Sequence, residues 1–284
     1  YKGEKVDDIT AHPAFKGMAH KIAQSYDKQH DPEYQDTMGF IDDDGVRCSY
    51  SYAVPNTREV LEARKGNTEV WVNDAMGMLG RLPDFVAGMT VGIFDLRHEL
   101  AKLNPDLAAN AEKYLKYARQ NDLCLSHGLH DPCMDKSLRP PEDPDRCVRV
   151  VKERDDGIIV RGARFNTFGL FSNEIMICPT YGFKPEEKEY AMWFTVPCNA
   201  PGLSQIARES FGGRDPLDHP ASAVYDEVDS LIVFDDVFIP WERVFLYREP
   251  MMANQLFRSG VMTWASFAGG SLSVLRMEIL CAIA

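Results

Sequence analysis

The chain has 284 residues, enough for two domains of ordinary size. A hydrophobic share of 45% is that of a folded globular protein, and a net charge of -12 argues against nucleic acid as the main partner, since phosphate binding rests on an excess of Lys and Arg. No uncharged apolar run approaches the roughly eighteen residues of a membrane span, and no secretory-type apolar core opens the chain, so no membrane association is expected.

In chain order, Phe15, Met18, Ile22 and Tyr26 recur at helical spacing after Pro13, a residue suited to a helix's first turn. The segment FIDDDGVRCSYSYAV then carries Asp44-Gly45, a hairpin signal. Asn56 with Glu59 three residues on resembles a capping box that opens a helix through Val60 and Leu61. The stretch GMLGRLPDFVAG is small and apolar, as in a buried helix, yet holds Arg81, Pro83 and Asp84. A further helix covers PDLAANAEKYLKYARQ, with Leu107, Ala111, Tyr114, Leu115 and Ala118 on one face.

Near residue 137 the texture changes at SLRPPEDPDR, a Pro-rich charged connector and the best boundary candidate. Two β-rich runs joined by Asp156-Gly157 follow, then NEIMICPT, YAMWFTVP and SLIVFDDVFIP, a pattern that predicts a small barrel or sandwich. Helical character returns from Met251. The predicted division is a mainly helical domain over 1–140, a middle β-barrel domain over 141–250, and the beginning of a helical domain over 251–284. SLSVLRMEILCAIA stops inside an apolar helical pattern without a stop signal, so a fragment is expected.

Seven cysteines are scattered without a CxxC pair, which predicts reduced thiols, a cytoplasmic setting and no zinc ribbon. No GxGxxG or Walker pattern supports a Rossmann or P-loop nucleotide site. Arg81 reads either as an ion-pair partner of Asp84 or as a fixed cation aimed into a cavity to bind a phenolate, carboxylate or flavin oxygen. In LSHGLHDPCMDK, His127 and His130 would share a face on a helix, but Gly128 and Pro132 point to a loop after one. Without further ligands at typical spacing, no metal is expected there. His127 or His130 at a loop mouth fits a general base or hydrogen-bond donor, or plain packing. Cys133 reads as a lining residue, and Thr167 as a strand-end hydroxyl that bonds a ligand or caps a turn. The Gly-Gly loop RESFGGRDP is expected to be mobile.

Taken together, YKGEKVDDITAHPAF, LGRLPDF, the His127 loop ending in MDK, DDGIIVRGAR and SLIVFDDVFIPWERVFLYRE resemble the 4-hydroxyphenylacetate 3-hydroxylase family, the oxygenase component of two-component flavin monooxygenases. The resemblance implies an α+β, acyl-CoA dehydrogenase-like fold: an N-terminal helical domain, a middle β-barrel and the start of a C-terminal helical bundle. It implies FAD as FADH2, a separate NAD(P)H-flavin reductase, O2 and a phenolic substrate, in a homodimer or homotetramer. By the same resemblance Arg81 and His127 contact the phenol oxygen, with Pro179 and Thr180 in a substrate loop. Cys133, Met134, Asp135, Lys136, Thr167 and His127 lie against the flavin. The motif's Tyr is replaced by Phe85, which removes one substrate hydrogen bond, worth roughly 0.5–1.5 kcal/mol. 4-Hydroxybutyryl-CoA dehydratase of the same superfamily is the alternative resemblance, but its cluster thiolates find no Cys between Cys48 and Cys124. A non-catalytic ligand-binding relative is the third.

Overall fold

Helix α1 (Lys16–Asp27) forms where the spacing predicts it, and it buries Phe15, Met18 and Ile22 together. The computed structural model describes residues 1–80, 83–132, 135, 137–178, 182–256 and 262–283. A one-turn helix α2 (Gln35–Met38) leads into a small hairpin of β1 (Gly39–Ile41) and β2 (Arg47–Ser49), whose turn contains Gly45 at φ 78. Helix α3 (Arg58–Asp74) is capped by Thr57, whose hydroxyl accepts from the Val60 N–H, so the cap lies one residue beyond Asn56. Helices α4 (Pro83–Asp95), α5 (Arg97–Leu103) and α6 (Pro105–Gln120) follow. Pro83 occupies the first turn of α4, where its missing N–H costs nothing. The predicted face of α6 is the buried one: Leu107, Ala111, Tyr114, Leu115 and Ala118.

The sheet strands are β3 (Leu125–His130), β4 (Arg149–Arg154), β5 (Gly157–Thr167), β6 (Glu174–Ile177), β7 (Met192–Pro197), β8 (Leu203–Ala207), β9 (Ser230–Pro240) and β10 (Val244–Tyr247). β4 and β5 form the hairpin signalled by Asp156-Gly157. The eight strands run in the order β10-β7-β6-β3-β5-β9-β8, with β4 on β5. Among the described residues no pairing joins the two ends of that path, which corrects the expected closed barrel. At the β10 end, α6 takes the place of a closing neighbour: Asn110 donates to the carbonyls of Trp241 and Val244 at 2.7 and 3.0 Å. The segment around His127 is also corrected. It is no loop but strand β3, inserted between β6 and β5 ahead of the Pro-rich connector.

The chain closes with α7 (Pro250–Leu256) and α8 (Met262–Ile283). A Cβ at Gly88 of α4 would lie 3.0 Å from the Trp264 carbonyl of α8, so the two helices approach closely there because Gly88 has no side chain. Arg276 of α8 also donates to the carbonyls of Gly77 and Leu79, just before α4. By length and composition Thr263–Ile283 is apolar enough to cross a membrane, a property the charges Arg276 and Glu278 had obscured in the sequence. Val274, Met277, Leu280 and Ile283 of this helix are exposed. The Gly-Gly loop makes several hydrogen bonds to Asp226 and to the segment before α1. Asp226 accepts from the N–H groups of Phe211 and Gly212, and the Ser210 hydroxyl lies 2.8 Å from both Asp226 and the Ala14 carbonyl.

Candidate active site

His127 sits in the middle of β3 and is 3% exposed. Its antiparallel partner on β5 is Thr167, so both side chains leave the sheet on the same side. Phe85, on the first turns of α4, covers His127 from that side, with ring centroids 5.5 Å apart and planes tilted by 54°. Three residues singled out in the sequence, from three separate segments, therefore meet at one place. His130 does not join them. A bulge between the two histidines brings His130 opposite Phe165, further along the sheet, where His130 is exposed while His127 is buried.

The same side of the sheet continues away from α4 without cover. Phe165 is two residues before Thr167, Leu231 of β9 pairs with Phe165, and Ile206 of β8 pairs with Leu231. Phe165 is 39% exposed and Ile206 57%. The result is an apolar sheet surface with the Thr167 hydroxyl at its border and the buried His127 beyond. Phe168, next to Thr167, is buried at φ 73, a left-handed backbone that a bulky side chain seldom adopts.

Behind Phe85 lies a buried polar network. Asp84 Oδ2 is 2.5 Å from the Thr68 hydroxyl, which is also 3.1 Å from the Arg64 carbonyl. Burial pushes the Asp84 carboxyl above the ordinary carboxylate range, against the pull of Thr68 and Arg64. Arg64 itself is brought down to about 10 by burial, while it donates to the carbonyls of Ser51 and Ala53. This network fixes the start of α4 and hence the placement of Phe85.

Of the remaining candidates, Asp135 is exposed and accepts from Ser137. Arg81, Cys133, Met134, Lys136, Pro179 and Thr180 lie outside the described residues. The described cysteines are free thiols. Burial pushes Cys124 and Cys178 up to about 12 and Cys48, Cys147 and Cys198 up to about 11, which leaves them poor nucleophiles. No group of three or more His, Cys, Asp or Glu that could hold a metal ion occurs among the described residues. The sequence reading missed one buried ion pair, Arg164 of β5 with Asp131 at 2.7 Å. The signal was present: Arg164 falls in phase with Ile158 and Val160 along an alternating strand, on its inward side.

Helix α4 packed over the sheet at Phe85, with a buried His127 beneath it and an uncovered apolar sheet surface beside it, defines a mixed helix-and-sheet protein. The profile of the family described as 4-hydroxyphenylacetate 3-hydroxylase N terminal matches residues 1–246, and the chain belongs to that family. It is 36% identical over 260 residues to the 4-hydroxyphenylacetate 3-monooxygenase oxygenase component of Thermus thermophilus, covering 90% of this chain and 53% of the relative. It is 31% identical over 287 residues to the 4-nitrophenol 2-monooxygenase oxygenase component of a Rhodococcus species, covering 99% and 54%. The chain thus spans about half the length of the curated relatives it matches. A solved oxygenase component of 4-hydroxyphenylacetate 3-monooxygenase, complexed with FAD and 4-hydroxyphenylacetate, superposes with a TM-score of 0.91 at 34% identity, covering 98% of this chain and 58% of that one. An archaeal 4-hydroxybutyryl-CoA dehydratase shares the fold, with a TM-score of 0.81 at 21% identity over 96% of this chain and 56% of that one.

Proposed function

We propose that this chain carries the phenol-binding part of a reduced-flavin-dependent aromatic ortho-hydroxylase that uses O2 and is supplied by a separate flavin reductase. The observation that carries the reading is the meeting of His127, Phe85 and Thr167 on one side of the sheet. FAD fits the residues present. The open apolar surface of Phe165, Leu231 and Ile206 suits a flat ring system, and Thr167 offers a hydroxyl at its border. Cys133, Met134, Asp135 and Lys136 would hold the cofactor from the loop after β3. Bound as FADH2, it would supply the two electrons and the activated oxygen that the reaction consumes.

The chain's own residues do the rest. Arg81 provides a cation that stays charged at any working pH and offsets a phenolate oxygen. His127 takes the phenol proton at a ring nitrogen, which makes the ring carbon beside the oxygen electron-rich. Pro179 and Thr180 border the substrate. Phe85 and the buried start of α4 keep water from that side of His127. Phenol, O2, two electrons and two protons then yield catechol and water. Because Phe85 offers no hydroxyl, the preferred phenol differs from 4-hydroxyphenylacetate or is bulkier.

The test supplies the protein with FAD, NADH, a flavin reductase and a panel of phenols, and measures catechol by chromatography. Catechol from at least one phenol, lost by about 10²–10⁴-fold in His127→Asn, is the expected result. Protein that binds FAD but makes no catechol from any phenol refutes the reading.

A further inference from the structure

The loop that carries Asp135 is held at three points by arginines from outside the proposed site. At its start, Arg164 pairs with Asp131, both buried. In its middle, Arg146, 6% exposed, donates to the carbonyls of Asp135 and Leu138, the latter at 2.8 Å. At its end, Arg139 reaches across to Glu187, 48 residues away in the chain. Its Nε donates to Oε1 at 2.8 Å and its Nη2 to Oε2, with a further bond from Nη2 to the Gly182 carbonyl at 3.2 Å.

Glu187 is only 1% exposed, yet among the described residues no lysine or second arginine shares its carboxylate, whose other hydrogen bond comes from the Lys184 N–H at 2.8 Å. The segment 182–187 is tied onward to α7. Asn254 accepts from the Phe183 N–H at 2.7 Å and donates to the Phe183 carbonyl at 2.9 Å. A two-pronged fork onto a buried carboxylate has a single good geometry, and an ammonium cannot reproduce it. Such a contact transmits position, not charge alone.

We propose that Arg139 and Glu187 are positioning residues that join the loop bearing Asp135 to the segment following Pro179 and Thr180, so that the flavin side and the substrate side of the site are ordered as one unit. The functional half of this inference rests on the reading of those two loops given above. The structural half, joint ordering of residues 137–139 with 182–187, does not depend on it.

The test uses Arg139→Lys, Glu187→Gln and the double variant in the full chain, with two readouts. Hydrogen–deuterium exchange follows peptides covering 137–139 and 182–187. Quenching of flavin fluorescence gives the affinity for oxidised FAD. Each single substitution is expected to speed exchange in both segments and to weaken FAD binding by about tenfold, and the double variant is expected to match either single one. Exchange that rises only in the segment carrying the substitution overturns the proposal, as does a double variant whose effects are the product of the singles. If the parent protein itself binds no FAD, the flavin reading falls, and the exchange experiment still decides the clamp. Should Glu187→Gln fail to fold, Arg139→Lys carries the test, since the Arg139 side chain is 35% exposed.

Discussion

Among the described residues, the buried Asp84 carboxyl has its side-chain hydrogen bond with Thr68. The Thr68 hydroxyl has one hydrogen and two acceptors within reach, the Arg64 carbonyl and Asp84. Burial favours the protonated form of Asp84 against the pull of the Thr68 hydroxyl and Arg64. A carboxyl whose folded pKa is raised contributes stability that is full below its ordinary value of 3.8 and is lost as pH rises through the folded value. Asp84→Asn, which keeps a donor and removes the titration, is expected to gain in Tm relative to the parent as pH rises above about 4. Asp84→Ala leaves Thr68 only the Arg64 carbonyl among its described partners and is expected to cost about 1–3 kcal/mol, measured by denaturant unfolding. At Phe85 the expectation concerns ligand affinity. Phe85→Tyr places a hydroxyl near His127 and is expected to tighten binding of a phenol with a polar side chain by up to about tenfold, read by titration of the FAD-loaded protein. Unchanged affinity would mean the ring does not face the substrate. Arg81 was conspicuous in the sequence because a lone cation stands in an apolar run. Asp84 was singled out with it, but as the arginine's ion-pair partner rather than as a buried acid bonded to Thr68.

Helices were legible where one face is buried and the other wet. The α6 boundaries and its buried face follow directly from the 3.6-residue period. Strand β3 was illegible for the opposite reason. It is covered on both sides, so LSHGLH shows no alternation, and its Gly128 and the following Pro132 imitate a loop. The cap of α3 was displaced by one residue, since Asn56 and Thr57 are both good caps and only the backbone decides between them. Thr57→Ala is expected to cost about 1 kcal/mol of stability, measured by urea unfolding. The α4–α8 contact is a sharper case. A methyl at Gly88 would press on the Trp264 backbone, which cannot swing aside as a side chain can. Gly88→Ala is expected to cost about 1–3 kcal/mol, with a drop in Tm and faster exchange in α8. A neutral outcome would show that α8 shifts freely on α4.

Across the molecule, buried carboxylates tie distant segments together: Asp226 holds the 210–212 loop, and Asp42 accepts from Gln120, Val46 and Asp44. Gln120 and the two backbone groups, with Arg119, hold Asp42 down at about 2. Asp226 is also lowered: burial works to raise it and is outweighed by Arg208, Ser210 and the Phe211 N–H. Groups depressed in this way stabilise the fold above 3.8 and cease to do so as pH falls toward their folded values. Acid unfolding is therefore expected to set in below about pH 4, and Asp42→Asn to flatten it, followed by tryptophan fluorescence. The sequence by itself determined the helix–β–helix order, most element positions, the family and the residues worth testing, because periodicity, turn chemistry and motif spacing are local properties. Only the tertiary structure decided that the strands leave their path open, that His127 lies on a central strand opposite Thr167, and that Arg139 grips Glu187. Strand neighbours and buried ion pairs are set by which chain segments pack together, and no local pattern encodes a partner 48 residues away.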